Sequence, residues 1–162
     1  MNKKKFSASI LFLIIFLFVA EAYGKPWIIT KEEAALPDMV RDINSQKTIK
    51  SNGPISAHQE IATGPIIVVE KPEDDALYND LIDILIHFKK NPLGEKVNMD
   101  SLRIIYLKLF GIDITDRLKP YINETTIDAT KIKFPEGYHE FEIRIQDAEE
   151  IESTKLVSVL VQ

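Results

Sequence analysis

Not one of the 162 residues is cysteine. That removes disulfide staples, thiol catalysis and thiolate metal sites together, and it closes the cysteine-dependent route to bacterial lipid anchoring. Histidine is scarce as well. His58, His87 and His139 stand apart, with no His-x-x-x-His or His-Glu-x-x-His spacing to set two imidazoles on one helical face. A Gly-x-Ser-x-Gly elbow and a Ser-x-x-Lys pair are both missing, so nucleophilic hydrolysis has no local support. There is no internal repeat, no low-complexity tract and no βαβ series, which argues against nucleotide-binding α/β architectures. Basic clusters with interleaved aromatics are lacking too, and the net charge is −5. That balance disfavours nucleic acid and anionic lipid headgroups as partners.

What is present begins with an export signal over residues 1–24. Lys3, Lys4 and Lys5 form a positive n-region, and Ser7 to Val19 is an uncharged apolar run. Ala20-Glu21-Ala22 and Ala22-Tyr23-Gly24 are two acceptable cleavage sites. The run falls short of the roughly 20 apolar residues that span a bilayer, so no stable membrane insertion is expected after cleavage. Loss of three lysines and Glu21 takes the net charge from −5 to −7. The expected destination is the periplasm or the medium.

Residues 25–63 read as an N-terminal arm and linker. Pro26 to Thr30 is a short extended piece, and Thr30 with Glu33 fits a capping box opening a helix over Lys31 to Leu36. From Arg41 to Gly64 the chain is polar and poor in aromatics, the composition of a linker.

Residues 64–162 carry a β pattern. Ile66 to Val69 is a β-branched run. Leu81 to Phe88 is assigned to strand over its helical rival because isoleucines dominate and Asn91-Pro92-Leu93-Gly94 follows as a turn. Leu102 to Leu109 is the next strand, Ile112 to Thr115 a short extended piece, and Asp116 to Tyr121 one helical turn. Thr126 to Ala129 and Lys131 to Phe134 are two short β-compatible pieces. Pro135-Glu136-Gly137 is a turn, after which Tyr138 to Gln146 and Thr154 to Val161 alternate. About seven short strands in about a hundred residues predict an all-β, antiparallel sandwich.

Several blocks are similar to a known pattern. Gly64-Pro65-Ile66-Ile67-Val68-Val69 with Pro72 resembles the entry strand of bacterial immunoglobulin-like β-sandwich modules. Lys133-Phe134-Pro135-Glu136-Gly137-Tyr138-His139 resembles their penultimate-strand corner, and Phe141 to Asp147 the strand that ends in Asp before the last hairpin. Trp27 to Pro37 and Leu102 to Arg117 look like blocks of small exported bacterial proteins of uncharacterised function. The resemblance implies an immunoglobulin-like fold and brings no activity, cofactor or metal with it. It departs from the pattern at Ala148-Glu149-Glu150, where the last hairpin usually holds a glycine.

The chemistry is thin. The acidic runs Glu70 to Asp75 and Asp147 to Glu152 lack the alternating pattern of a calcium loop and read as solvated hairpin tips. Tyr106 to Tyr121 is the segment richest in functional side chains. Tyr106 and Lys108 fall on one strand face, and Asp113 or Asp116 is placed to pair with Arg117. Trp27 either staples the arm to the sandwich or serves as an aromatic anchor. Trp27, Tyr106, Lys108, Asp113 and Arg117 are therefore the candidate partner-binding surface. The expected function is that of an exported, non-catalytic module contacting a protein or glycan, without cofactor or metal. A small secreted hydrolase, or a calcium-dependent accessory domain of one, is the alternative.

Overall fold

A computed structural model describes residues 27–39, 63–73 and 76–162. The expected export signal, His58 and most of the expected linker lie outside the described residues. Among those described, no helix is long and apolar enough to cross a membrane.

The chain forms two mostly antiparallel sheets packed face to face, a β-sandwich-like arrangement. One sheet has the order β1 (Ile66–Lys71), β3 (Leu81–Lys89), β7 (Thr126–Lys133), β6 (Ile122–Asn123). The other runs β2 (Leu77–Tyr78), β9 (Glu152–Val161), β8 (Gly137–Asp147), β4 (Val97–Tyr106), β5 (Ile112–Asp113). The β2–β9 pair is parallel and every other pair is antiparallel. Among the described residues there are also two short helical pieces, α1 (Lys31–Ala34) and α2 (Thr115–Leu118), the latter running into a 3₁₀ turn over Lys119–Tyr121.

Alternation builds the core. Ile82, Ile84, Ile86 and Phe88 of β3 face inward with Ile127, Ala129 and Ile132 of β7. Leu102, Ile104 and Tyr106 of β4, Phe141, Ile143 and Ile145 of β8, and Val157, Val159 and Val161 of β9 meet them. Ile28 and Ile29 of the arm are 1% and 0% exposed and belong to the same core. Ile28 lines a narrow apolar void of about 40 Å³ with Ile114, Leu118 and Phe134. The piece that precedes the capping box thus supplies two of the domain's core side chains.

Several boundaries differ from expectation. The arm helix stops at Ala34, although its capping box forms as read: Thr30 Oγ1 accepts from Glu33 N (3.1 Å) and Glu33 Oε2 from Thr30 N (2.9 Å). β4 starts five residues earlier than Leu102 and ends at Tyr106, short of Leu109. Its early half is polar and irregular, with Asn98 and Ser101 side chains bonded to the backbone. Leu109, three residues past the end of the strand, adopts the left-handed φ of 52° that turns the chain back toward β5. The two pieces at Thr126 to Ala129 and Lys131 to Phe134 are one strand, β7, bulged where Lys131 takes φ 55°. At the last hairpin, Glu150 (φ 64°) occupies the left-handed position that glycine usually fills.

Candidate functional site

The expected surface is dispersed, and much of it faces inward. Arg117, one residue short of the end of α2, does not pair with Asp113 or Asp116. It forms a two-pronged clamp on the arm: Nη1 to Glu33 Oε2 at 2.8 Å and Nη2 to Glu33 Oε1 at 2.6 Å. Nη1 also donates to the Ile28 carbonyl at 2.7 Å, fixing the backbone of the residue that plugs the core. The Arg117 guanidinium holds the Glu33 carboxyl down at about 2, against the opposing pull of partial burial. Glu33 in turn raises Arg117. The expected pairing failed because both aspartates have nearer tasks. Asp116 meets Lys119 one turn on (2.6 Å). Asp113 Oδ1 accepts from Thr115 N (2.9 Å), and its Oδ2 stands 4.0 Å from Arg103 Nε.

Lys108 is 8% exposed and holds the other end of the arm, with Nζ 2.5 Å from Asp38 Oδ1. Around it the backbone of residues 37–39 is added to residues 107–109. Met39 N donates to Leu107 O (3.0 Å) and Leu109 N to Pro37 O (2.9 Å). Lys108 and Arg117 therefore bracket α1, and the arm is docked by two ion pairs, an added backbone ladder and two buried isoleucines.

Tyr106 is fully buried, out of reach of any partner. Its ring stacks on Phe141 at 5.2 Å between centroids, and Lys108 Nζ lies 5.9 Å from its centre. Burial pushes its hydroxyl well above the ordinary phenol range, with the negative charges of Asp38 and Glu33 adding to the effect. The hydroxyl lies 2.9 Å from His139 Nδ1, and His139 Nε2 lies 2.9 Å from Pro135 O. A carbonyl only accepts, so Nε2 carries the proton and Nδ1 accepts from Tyr106. Burial lowers the His139 pKa, partly countered by the Pro135 bond, with the Lys108 charge lowering it further.

Trp27 is half-buried, its ring 5.0 Å from Lys133 Nζ, at the edge of an open cleft bordered by Lys31, Asp80, Pro135 and Glu136. Asp147 is 1% exposed and organises the last hairpin, accepting from Glu149 N, Ile151 N and Glu95 N. Burial pushes its carboxyl up, but these backbone donors outweigh it and hold the pKa below the usual value. His87 bonds Thr126 Oγ1 (3.1 Å) and stands 3.3 Å from Glu70. Among the described residues there is no cluster of three or more His, Asp or Glu arranged around a metal.

One surface residue escaped the reading of the sequence. Phe110 is 98% exposed at the apex of the β4–β5 turn. That turn is fixed on both sides by Leu109 N to Pro37 O and Gly111 N to Lys108 O (2.8 Å), with Leu109 and Gly111 both at positive φ. An added Cβ at Gly111 would come within 2.8 Å of Ile105, so the glycine is required there. Gly111 marked a break in the sequence, but nothing local told that Phe110 points outward.

Set against known proteins, the chain matches no family model, no curated protein and no solved structure.

Proposed function

We propose that this protein is an exported immunoglobulin-like β-sandwich that works as a binding module for a protein or glycan outside the cytoplasm. Two features support the immunoglobulin-like part. The strand order can be lettered A-B-E-D in one sheet and A′-G-F-C-C′ in the other. The His139 to Pro135 bond ties the entry of the eighth strand to backbone four residues upstream, as a tyrosine corner does.

The observation that carries the binding role is Phe110. A phenyl ring held almost wholly in water on a locked turn contributes nothing to the core, and such rings are preferred anchors at interfaces. The hydrolase or calcium-dependent alternative is less well supported, because His139 and Asp147 are each engaged inside the fold. The test is capture of envelope and culture proteins, alongside a glycan array, by the full-length chain and by Phe110→Ser. Ligand capture that Phe110→Ser weakens about tenfold or more, at unchanged melting temperature, is the expected result. A chain that binds nothing in either screen overturns the binding role.

A further inference from the structure

A cleft opens where the arm meets the sandwich. The arm supplies Trp27, Lys31, Ala34 and Ala35 to it, and the sandwich supplies Asp80 and residues 133–136. Both contributions are fixed from behind. Trp27 is followed by Ile28 and Ile29, buried in the core, and Arg117 Nη1 holds the Ile28 carbonyl at 2.7 Å. Glu33, on the same helix as Lys31, takes the rest of that guanidinium. On the sandwich side Phe134 N donates to Asp80 O (2.9 Å), and the Pro135 carbonyl accepts from His139 Nε2 (2.9 Å). At about 500 Å³ the cleft falls within the roughly 300–1,000 Å³ of small-molecule sites. Little ordering is left for a ligand to impose.

The cleft combines an indole with polar groups that have bonding capacity to spare. Among the described residues Trp27 Nε1 has no hydrogen-bond partner and no buried side-chain nitrogen or oxygen lacks one, so this N–H is open to water. Lys31 and Glu136 are exposed, and neither has an ion-pair partner among the described residues. Lys133 Nζ lies 5.0 Å from the indole centre and 3.7 Å from Asp80 Oδ2, too far for a direct hydrogen bond. That ammonium and that carboxylate therefore each keep room for another partner. Two positive and two negative groups balance, so a charged ligand gains no net attraction. A purely apolar ligand would desolvate these groups without bonding them. An uncharged molecule with C–H surface and many hydroxyls suits them, because each hydroxyl both gives and takes a hydrogen bond.

We propose that this cleft is a saccharide site for an uncharged pyranose unit of a glycan. Trp27 lies against the C–H surface of the sugar, Asp80 and Glu136 accept from its hydroxyls, and Lys31 and Trp27 Nε1 donate to them. The inference rests on the binding-module reading for its setting and on separate residues for its chemistry, since Phe110 does not line the cleft. Trp27 is the chain's single tryptophan, so its fluorescence reports occupancy directly. The full-length chain is screened on an array of neutral, acidic and amino oligosaccharides, and each captured oligosaccharide is titrated in solution against Trp27 emission. Expected are neutral oligosaccharides that shift the emission, with an affinity that added salt leaves unchanged. Lys31→Ala and Glu136→Ala each weaken them about fivefold or more, and Phe110→Ser does not. Both substituted side chains are exposed and unpaired, so the variants keep the melting temperature. Neutral oligosaccharides that leave the emission unmoved, or that bind both variants undiminished, overturn the location. Glycan binding that Phe110→Ser abolishes also overturns the cleft, while supporting the binding role. Capture of acidic or amino oligosaccharides alone, with salt-sensitive affinity, overturns the neutral class. Capture of no glycan overturns the saccharide site, and the binding role then stands or falls on protein capture that Phe110→Ser weakens.

Discussion

Replacing Glu33 by Gln keeps the shape of the arm but removes the charge that Arg117 grips. The carboxyl titrates at about 2 rather than 4.5. At about 1.36 kcal/mol per pH unit, holding it ionised over that span contributes about 3 kcal/mol. The Glu33 side chain is 20% and that of Arg117 35% exposed, so screening reduces the expected loss in Glu33→Gln to about 2 kcal/mol near neutral pH. The sign follows from the lowered pKa. The contribution is complete above the unfolded value near 4.5 and disappears as pH falls through about 2. Urea denaturation of both proteins between neutral and strongly acid pH reads this directly. The curves differ by about 2 kcal/mol at neutral pH, and the difference shrinks below pH 4.5 until it vanishes near 2. A gap under about 0.5 kcal/mol at neutral pH, or one that does not change on acidification, refutes the view that this ion pair docks the arm.

Other perturbations probe the rest of the fold. Ile28→Ala opens a cavity beside the apolar void already present, and calorimetry should register a loss of about 2–5 kcal/mol. Tyr106→Phe leaves His139 Nδ1 without its donor in a dry site, costing about 1–3 kcal/mol in the same measurement. His139 is held neutral, so the unfolded chain takes up more protons below about 6.5. Stability should fall as pH drops through that value, and His139→Gln should abolish that part of the slope in pH-dependent denaturation. Glu150→Gly relieves a left-handed backbone at the cost of unfolded-state entropy, and should raise stability by about 0.5–1 kcal/mol, seen as a higher urea midpoint.

The strands that could be read in advance were those with one wet face and one dry face. β3, β8 and β9 announce themselves through Ile82 to Phe88, Phe141 to Ile145 and Val157 to Val161, and the capping box through Thr30 and Glu33. The early half of β4 did not, because Asn98, Asp100 and Ser101 break its alternation. β7 reads as two pieces because its alternation shifts phase at the bulge, from Ile127 and Ala129 to Ile132. The candidate surface was harder still. Glu33 and Arg117 are 84 positions apart, and nothing local to Arg117 distinguishes a distant glutamate from the neighbouring Asp113 and Asp116. A buried lysine is equally silent: Lys108 looks like any exposed cation until the arm is laid beside it. Only Trp27 had its stapling role weighed from the start, and its cation–π contact with Lys133 gives that role a geometry.

The parallel pairing of β2 with β9 bears on how the domain responds to tension. A pull on the chain from before β2 and after β9 drags two parallel strands past one another, loading the Leu160 N to Ala76 O and Gln162 N to Tyr78 O bonds together instead of unzipping them in turn. Force arriving from upstream of Trp27 meets the Arg117 and Lys108 clamps first. The same force loads the core contacts of Ile28 and Ile29, so tension on the arm is carried directly into the space between the two sheets.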